Sequence, residues 1–568
     1  MGTEPKDYEA QQRPNVVVCL MDDLGFSDLG CYGSEIRTPT MDALAEEGAK
    51  FTQMYNSARC CPSRAALLTG LHPHQAGVGH MVWAGPTAPY AGYLNDRCVT
   101  IPEALSTVGY QTFMSGKWHV GGNYDAQPPA AWRPGAPGFP VPLQRGFDRF
   151  FGTLTGSGSY YHPATLMRED QFIAQEDPDW YYTDAIADDA ITRMKRRDST
   201  RPFFQYVAFT APHWPLHARA ATIESYRDQY QRGWDAVRTE RYDRMREKGL
   251  IDHSWPLSPR DPEAWPWEQA VSHEWEAYKM ATYAAQVEHL DAAFGRYIDA
   301  VRSEGILDNT LIFVLADNGG CAELLREDVI PDNTWPSSVP LSTPDGKPVL
   351  VGNRVDVMPG GPETFASYDV CWANVSNAPF RRFKRWVHEG GISTPLIVRW
   401  PKGFRATGSV VHDYAHITDL MPTILDATSA RYPGDAGAEV PPLAGVSLLP
   451  RLRGEPTPPR DLFFEHEGNR AIRSGDWKLV SERSGDWELY NMESDRTESV
   501  NLADREPARL LELSERWFSW AAEVGADISV FNDINMIDSS YVGIAPSLRE
   551  KYWRRDSGSD QSEAVICQ

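Results

Sequence analysis

Short apolar runs rich in β-branched residues recur along the first 400 residues and give the strongest structural signal in the sequence. Runs of this kind are typical of strands buried on both faces of a parallel sheet. Between residues 270 and 301 the apolar positions change to a helical repeat, as expected for a crossover helix that leads to the next strand. The predicted strands are residues 15–21, 111–114, 203–209, 311–316 and 395–400. These elements predict an α/β fold with a large, mostly parallel mixed sheet sandwiched by helices.

The pattern changes after residue 429, where prolines and glycines become frequent up to residue 459. Such a stretch predicts a connection over the surface. Four strand-like runs and a helical repeat over residues 507–524 follow; the runs are residues 461–464, 471–472, 477–480 and 487–490. We therefore predict a large α/β domain over residues 1–455. A small C-terminal α+β subdomain, with an antiparallel sheet, a helix and a tail, is predicted over residues 456–568.

Three further segments interrupt the predicted strands and helices. Residues 144–159 combine glycines, serines and aromatic residues and predict a loop over the mouth of a pocket. Residues 219–251 are highly charged and predict a solvated helical insertion. Residues 321–367 are rich in proline, glycine and aspartate. A long irregular segment inside a domain predicts a functional loop.

The composition narrows the possible classes of function. The chain has 568 residues, of which 42% are hydrophobic, and a formal net charge of −23. This acidic balance argues against nucleic acid as a partner, because basic surfaces bind a phosphate backbone. We expect no membrane span, because no run of roughly 18 apolar residues occurs. The N-terminal segment lacks an apolar signal core, so we expect a cytoplasmic protein unless a signal for the periplasm or for secretion was removed.

Polar residues follow two of the predicted strands at the point where each strand ends. Asp22 and Asp23 come after residues 15–21, and Asp317 and Asn318 come after residues 311–316. Open α/β sheets bind ligands at the carboxyl ends of their strands. Three carboxylates and one amide oxygen are hard ligands that suit Ca²⁺ or Mg²⁺ rather than zinc. The sequence does not choose between these two ions.

The most informative stretch is residues 60–70, which read C-C-P-S-R-A-A-L-L-T-G. Pro62 fixes its own φ and favours an extended conformation at Cys61. The apolar run that follows predicts a buried helix, so Cys60 lies just before a helix N-terminus, where an anion is favoured. The eight cysteines of the chain are few, and their spacing indicates neither a disulfide framework nor a zinc site.

This stretch resembles the signature of the type I sulfatases, C-x-P-S-R-x-x-x-L-T-G, at every specified position. In that family, which belongs to the alkaline phosphatase superfamily, the first cysteine of the signature is oxidised to formylglycine. The resemblance therefore implies that Cys60, rather than Cys61, becomes an aldehyde whose hydrate is the nucleophile. It also implies that Arg64 orients this hydrate.

Other parts of the chain resemble the same family in the same order. Residues 116–119 read G-K-W-H, His213 follows the strand at residues 203–209, and Lys384 stands five residues before the glutamate of an E-G-G motif. The implied catalytic residues are Cys60, Arg64, His119, His213 and Lys384. The implied substrate-binding residues are Lys117, His213 and Lys384. The implied metal ligands are Asp22, Asp23, Asp317, Asn318 and Cys60, with Ca²⁺ the ion that the family most often holds.

The resemblance implies an alkaline-phosphatase-like fold and an arylsulfatase-type enzyme that hydrolyses sulfate monoesters of aryl or carbohydrate type. It also implies maturation by a formylglycine-generating enzyme, and it leaves the natural ester and the oligomeric state open. Two alternatives remain: a phosphonate or phosphodiester hydrolase of the same superfamily, and a non-catalytic protein that binds sulfated ligands. The sequence also leaves open whether His466 and the basic residues between 381 and 385 contact the substrate.

Overall fold

The computed structural model describes residues 13–175, 177, 179–325, 338–405, 407–433, 440–483, 485–531 and 542–543. Its strands are β1 Asn15–Met21, β2 Ala49–Tyr55, β3 Gln111–Gly116, β4 Arg149–Thr153, β5 Leu166–Arg168, β6 Gln171–Phe172, β7 Phe203–Ala208, β8 Thr310–Ala316, β9 Leu324–Leu325, β10 Leu350–Val351, β11 Thr364–Phe365, β12 Ser393–Arg399, β13 Ser409–His416, β14 Asp461–His466, β15 Asn469–Ser474, β16 Trp477–Ser481, β17 Glu488–Asn491 and β18 Val542–Gly543.

Ten of these strands form one sheet in the order β13-β2-β12-β8-β1-β7-β3-β4-β5-β6. The five central strands, from β8 to β4, are parallel, whereas β12 and β5 run antiparallel to their neighbours. Val18 at the centre of β1 pairs with Phe313 of β8 and Tyr206 of β7. The predicted fold class is confirmed, and all five predicted strands are present. The parallel direction brings the carboxyl ends of β8, β1, β7 and β3 to one edge.

Both faces of the central sheet are covered, which explains why its strands are apolar without alternation. On β1, Val17 and Cys19 belong to one hydrophobic core cluster, and Val16 and Val18 belong to the cluster on the opposite face. The helices are α1 Pro39–Glu47, α2 Cys60–Thr69, α3 Ile101–Ser106, α4 Tyr182–Arg196, α5 Ala220–Glu224, α6 Trp234–Glu247, α7 His273–Ser303, α8 Asp369–Ser376, α9 Glu389–Ile392, α10 Leu420–Thr428, α11 Leu449–Leu452 and α12 Pro507–Val524.

The longest helix, α7, confirms the predicted crossover. The Ser272 side chain accepts a hydrogen bond from the backbone N–H of Trp275 and caps the first turn. The helix packs along α1 and α4 and leads into β8, which runs parallel to β1 as β7 does. Among the described residues, no helix combines the length and the apolar character needed to cross a membrane.

The C-terminal part contains a four-stranded antiparallel sheet in the order β14-β15-β16-β17, packed against α12. This confirms the small sheet and the helix predicted from the sequence. Leu462 and Phe464 of β14 pack against Tyr55 of β2 and Ile392 of α9. The small sheet is therefore joined to the large one by a hydrophobic cluster of its own.

Two further predicted segments contain buried residues that their composition does not indicate. Residues 144–159 contain β4, whose Phe150 and Phe151 are buried on opposite faces of the sheet, so only part of this segment is a loop. The charged segment 219–251 contains α5 and α6, so its predicted helices are confirmed, and most of its charged side chains are at least partly exposed. Arg241 of α6 is fully buried and forms ion pairs with Asp28 and Glu35. Exposure is therefore wrongly predicted at Arg241, where two carboxylates balance the buried charge. The prediction for residues 321–367 lies partly outside the described residues.

Candidate active site

The ends of β1 and β8 place the four predicted oxygen ligands side by side. Asp22 and Asp23 follow β1, Asp317 and Asn318 follow β8, and all four are buried. The backbone N–H of Asp23 donates to Oδ1 of Asp317 at 3.3 Å, and Nδ2 of Asn318 donates to Oδ1 of Asp23 at 2.7 Å. Parallel pairing of the two strands therefore assembles an oxygen-rich pocket from residues almost 300 positions apart.

This pocket fits a hard divalent cation. Oδ1 of Asp22 and Oδ1 of Asn318 are buried, and neither has a hydrogen-bond partner among the described residues. Burial, followed by the charge of Asp317, raises the pKa of Asp22 to about 7, even though Lys117 and Arg64 oppose the shift. Buried carboxylates this close together are costly unless a cation neutralises them. The oxygen donors and the two unpartnered atoms match the ligand preferences of Ca²⁺ and Mg²⁺.

Two buried basic side chains, Lys117 and Arg64, form ion pairs with the carboxylates of this pocket. Nζ of Lys117, which follows β3, lies 2.5 Å from Oδ2 of Asp22. Arg64, on the second turn of α2, places Nη2 2.8 Å and Nε 3.0 Å from Oδ2 of Asp317. Its Nη1 donates to the carbonyl oxygen of Lys117 at 2.9 Å. Arg64 thus ties the α2 helix, β8 and the end of β3 together at one point.

The predicted nucleophile residue, expected just before a helix, is itself the first residue of α2, and Arg59 holds the capping position. Cys60 and Cys61 are both buried. A hydrogen bond from Cys61 lowers the pKa of the Cys60 thiol well below its ordinary value; burial opposes this shift, and Lys117, His119 and Lys384 add to it. The site is therefore built to stabilise negative charge at the Cys60 side chain.

His119 lies against these cysteines with a backbone φ of 54°, in the left-handed region. Its Nε2 lies 3.2 Å from Sγ of Cys61. Burial lowers the pKa of His119 to about 4, so its imidazole is neutral near pH 7 and can accept a proton. A left-handed conformation costs energy for a residue with a side chain, and such residues are common at functional sites.

His213 and Lys384 approach the pocket from the loops after β7 and before α9. Nζ of Lys384 lies 2.9 Å from Oδ2 of Asp23 and 3.2 Å from Nε2 of His213. Nδ1 of His213 lies 2.6 Å from the carbonyl oxygen of Trp214 and must donate to it, because a carbonyl only accepts. The lone pair on Nε2 therefore faces Lys384. Burial opposes the charge on Lys384, but Asp23 prevails and raises the pKa of Lys384 well above its usual value.

All ten residues implied by the resemblance meet in this pocket, although their roles in catalysis stay predictions. Glu323 was not predicted; its side chain accepts a hydrogen bond from Nε1 of Trp214 at 2.8 Å. Nη2 of Arg59 lies 3.1 Å from the same carboxylate. Burial opposes ionisation of Glu323, but Lys384, Arg59 and His213 lower its pKa to about 2. Only the closeness of these residues to motifs could have indicated them: Arg59 directly precedes Cys60, and Glu323 lies six residues after Asp317.

The basic residues between 381 and 385 are engaged with the protein rather than arranged as a free patch. Nη1 of Arg381 lies 3.2 Å from Oε2 of Glu488, and Arg382 pairs with Asp261 and Glu482. Arg385 pairs with Glu467. His466 is fully buried beside Glu467, with Nε2 3.6 Å from Oε1 of that residue.

Comparison with known proteins agrees with this arrangement. Residues 14–430 match the family model described as Sulfatase, and residues 380–515 match the model described as N-sulphoglucosamine sulphohydrolase, C-terminal. An uncharacterized sulfatase of Schizosaccharomyces pombe is 33% identical over 550 residues, which cover 90% of this chain and 94% of the relative. An arylsulfatase of Klebsiella aerogenes is 32% identical over 458 residues, which cover 77% of this chain and 92% of the relative.

Solved structures share the fold at lower identity. Ps i-CgsB superposes with a TM-score of 0.63 at 22% identity, covering 90% of this chain and 93% of that one. BT4656, solved in complex with its substrate D-glucosamine-2-N,6-O-disulfate, superposes with a TM-score of 0.57 at 22% identity, covering 91% and 99% of the two chains. The chain belongs to the sulfatase family and is a sulfuric ester hydrolase.

Proposed function

We propose that the chain hydrolyses sulfate monoesters with a formylglycine made from Cys60 and with a Ca²⁺ or Mg²⁺ ion held by the oxygen pocket. One observation carries the proposal. Cys60 stands at the start of a buried helix, and a ring nitrogen of the neutral His119 lies within 4.8 Å of its Sγ. Lys117 and Lys384, which contact carboxylates of the oxygen pocket, also lower the pKa of Cys60. A side chain in this position meets an anion-binding site and a proton acceptor together.

The cation would be held by Asp22, Asp23, Asp317, Asn318 and the modified Cys60. When bound, it supplies positive charge that draws the sulfate oxygens and favours ionisation of the attacking hydroxyl. Lys117 and Arg64 are already fixed by carboxylates, so they present charge without reorganisation when a substrate arrives. Arg64 would orient the modified side chain through its fork of N–H donors.

The formylglycine would supply, in its hydrated form, the hydroxyl that attacks sulfur. The departing alcohol needs a proton or a positive charge. Lys384 stays protonated beside Asp23, and its Nζ contacts Nε2 of His213, which supports a role for these two residues in binding sulfate and stabilising the leaving oxygen. His119, neutral near pH 7, would accept the proton from the second hydroxyl when sulfate is released.

The substrate class is proposed as aryl or carbohydrate sulfates. The arylsulfatase of Klebsiella aerogenes is among the relatives with about one third identity. BT4656 takes a disulfated glucosamine, and Ps i-CgsB has been solved in complex with k-i-k-neocarrahexaose. An aryl sulfate is therefore a suitable assay substrate, and sulfated sugars are the natural esters to test next.

The test begins with protein made together with a formylglycine-generating enzyme. We expect the mass of the peptide that carries Cys60 and Cys61 to show an aldehyde at Cys60 and a thiol at Cys61. We then expect aryl sulfate to be turned over faster than the matched aryl phosphonate monoester, and the Cys60→Ala variant to be inactive. Dominant phosphonate turnover would favour the phosphonate hydrolase instead. Activity restored to chelator-treated protein by Ca²⁺ or by Mg²⁺ identifies the ion.

A further inference from the structure

Cys61 occupies a position that the family signature leaves unspecified, yet its side chain lies inside the pocket. Its Sγ is 3.2 Å from Nε2 and 3.5 Å from Nδ1 of His119. Sγ of Cys60, Sγ of Cys61 and a ring nitrogen of His119 all lie within 4.8 Å of one another. The three residues are 1%, 0% and 4% exposed. Two thiols and one imidazole are thus held close together, away from water.

This cluster differs in chemistry from the pocket beside it. Asp22, Asp23, Asp317 and Asn318 offer only oxygen, which suits hard cations. Cys60, Cys61 and His119 offer sulfur and nitrogen, the donors that Zn²⁺ prefers. The oxygen pocket would therefore select a hard cation such as Ca²⁺, and the adjacent sulfur and nitrogen donors would select Zn²⁺.

Protein cations close to the cluster do not exclude a second metal ion. Lys117 is bound to Asp22, Arg64 to Asp317 and Lys384 to Asp23, so each of these positive charges is balanced by a carboxylate within 3 Å. The thiols themselves bring negative charge when they bind a metal, because zinc is held by thiolates. The cluster lies at the N-terminus of α2, where the helix dipole also favours thiolates.

We propose that the chain, before Cys60 is modified, binds Zn²⁺ through Cys60, Cys61 and His119. Three protein ligands leave the fourth position of a tetrahedral zinc open to water. Conversion of Cys60 to an aldehyde removes one of the two thiols, so the site belongs to the unmodified chain and is lost on maturation. Zinc bound there shields the Cys60 thiol from other reagents. The loss of the zinc site on maturation is the one part of this proposal that rests on the proposed function.

The experiment uses full-length protein made without a formylglycine-generating enzyme, with the Cys60 thiol verified by peptide mass. Zn²⁺ is titrated against a chromophoric chelator in excess Ca²⁺, and Co²⁺ serves as a spectroscopic stand-in for zinc. We expect one Zn²⁺ per chain that Ca²⁺ does not displace, together with the near-ultraviolet absorption of thiolate bound to Co²⁺. We also expect bound Zn²⁺ to slow the alkylation of Cys60. No turnover is measured, so the result is independent of whether the hydrolase proposal holds.

The decisive variant is Cys61→Ala, with Cys98→Ala as its matched control. Cys98 is also buried, but its Sγ contacts the carbonyl oxygen of Asn95, outside the pocket. We expect Cys61→Ala to weaken Zn²⁺ binding by more than about 100-fold, because even the loss of a residue that merely orients a metal ligand costs up to that factor. Cys98→Ala should bind as the parent does. Thermal unfolding establishes that each variant is folded, and Cys61→Ser replaces Cys61→Ala if the latter is not. Equal Zn²⁺ affinity in the parent and in the Cys61 variant, or no thiolate absorption with Co²⁺, overturns the proposal.

Discussion

At the scale of single residues, Arg64 shows how one buried side chain can hold several parts of the predicted site together. It is fully buried and uses three of its nitrogens, two for Asp317 and one for the carbonyl of Lys117. A lysine carries one compact ammonium and lacks the planar fork that makes these contacts together. The charge of the residue alone therefore does not describe its role.

We predict that Arg64→Lys lowers kcat/KM for an aryl sulfate by about 100-fold, the size of effect seen when one preorganised donor is removed from an active site. The reason is that a lysine leaves the carbonyl of Lys117 or one contact to Asp317 without a donor. Steady-state kinetics on fully matured enzyme measure the effect. Arg381→Lys, at a partly exposed ion pair with Glu488, is the matched control and should leave kcat/KM unchanged. An Arg64→Lys enzyme with parental kcat/KM would contradict the role assigned to the fork.

At the scale of elements, the predicted catalytic groups are carried by strand ends, one helix start and the loops between them. In the loop after β4, the absence of a side chain at Gly156 leaves room for the His119 ring. A Cβ added to Gly156 would lie 2.1 Å from Cε1 and 2.4 Å from Nε2 of His119, far closer than non-bonded atoms approach. The His119 ring would have to move, although it is buried and its Nε2 lies 3.2 Å from Sγ of Cys61.

Gly156→Ala should therefore displace the His119 ring and reduce kcat by at least about tenfold, within the range that a positioned acid–base group contributes. The matched control is Gly361→Ala, because a Cβ at Gly361 meets nothing within 4 Å. Single-turnover and steady-state rates with an aryl sulfate report the effect, and thermal unfolding shows whether the variant is folded. A folded Gly156→Ala protein with an unchanged kcat would show that the imidazole is free to shift.

At the scale of the whole molecule, a buried ion network joins the large sheet to the C-terminal one. Glu389, at the start of α9, lies 2.9 Å from Nζ of Lys478 on β16 and 2.9 Å from Nε of Arg496. The Tyr55 hydroxyl donates to the same carboxylate at 2.9 Å. Burial opposes ionisation, but Lys478 and Arg496 prevail and lower the pKa of Glu389 to about 2.

The lowered pKa of Glu389 determines how its contribution to the stability of the fold changes with pH. A carboxyl whose pKa falls from 4.5 to about 2 on folding stabilises the protein fully above pH 4.5, and the stabilisation is lost as the pH falls from 4.5 towards 2. The difference corresponds to about 3 kcal/mol, which agrees with the cost of removing one partner from a buried ion pair. The contribution disappears only in acid.

We therefore predict that Glu389→Gln lowers the unfolding temperature by several degrees at pH 7 and that the gap to the parent narrows between pH 5 and pH 3. Calorimetric scans at constant ionic strength and with excess Ca²⁺ measure both quantities. Asp299→Asn is the control, because Asp299 forms an exposed pair with Arg302 and should shift the unfolding temperature little at any of these pH values. A gap that stays constant with pH would exclude the carboxylate as its source.

Much of the fold follows from local sequence. The apolar runs determine the central strands because strands buried on both faces need no polar alternation, and the helical repeat determines α7. The failures also have physical causes. The charged residues of α6 indicated a solvated helix, but Arg241 is buried because Asp28 and Glu35 neutralise it. Phe150 and Phe151 form a strand inside a segment whose glycines and serines indicated only a loop.

For the site, the sequence by itself determined the residue types and their order: a cysteine before a buried helix, carboxylates at two strand ends, and the lysines and histidines that follow other strands. It determined these because each motif is local and each chemistry needs particular side chains. Only the tertiary structure decided which groups meet. Glu323 and Arg59 pair beside the pocket, and Cys61 lies against His119, 58 positions away. Contacts between distant residues depend on strand order and loop path, which no local pattern records.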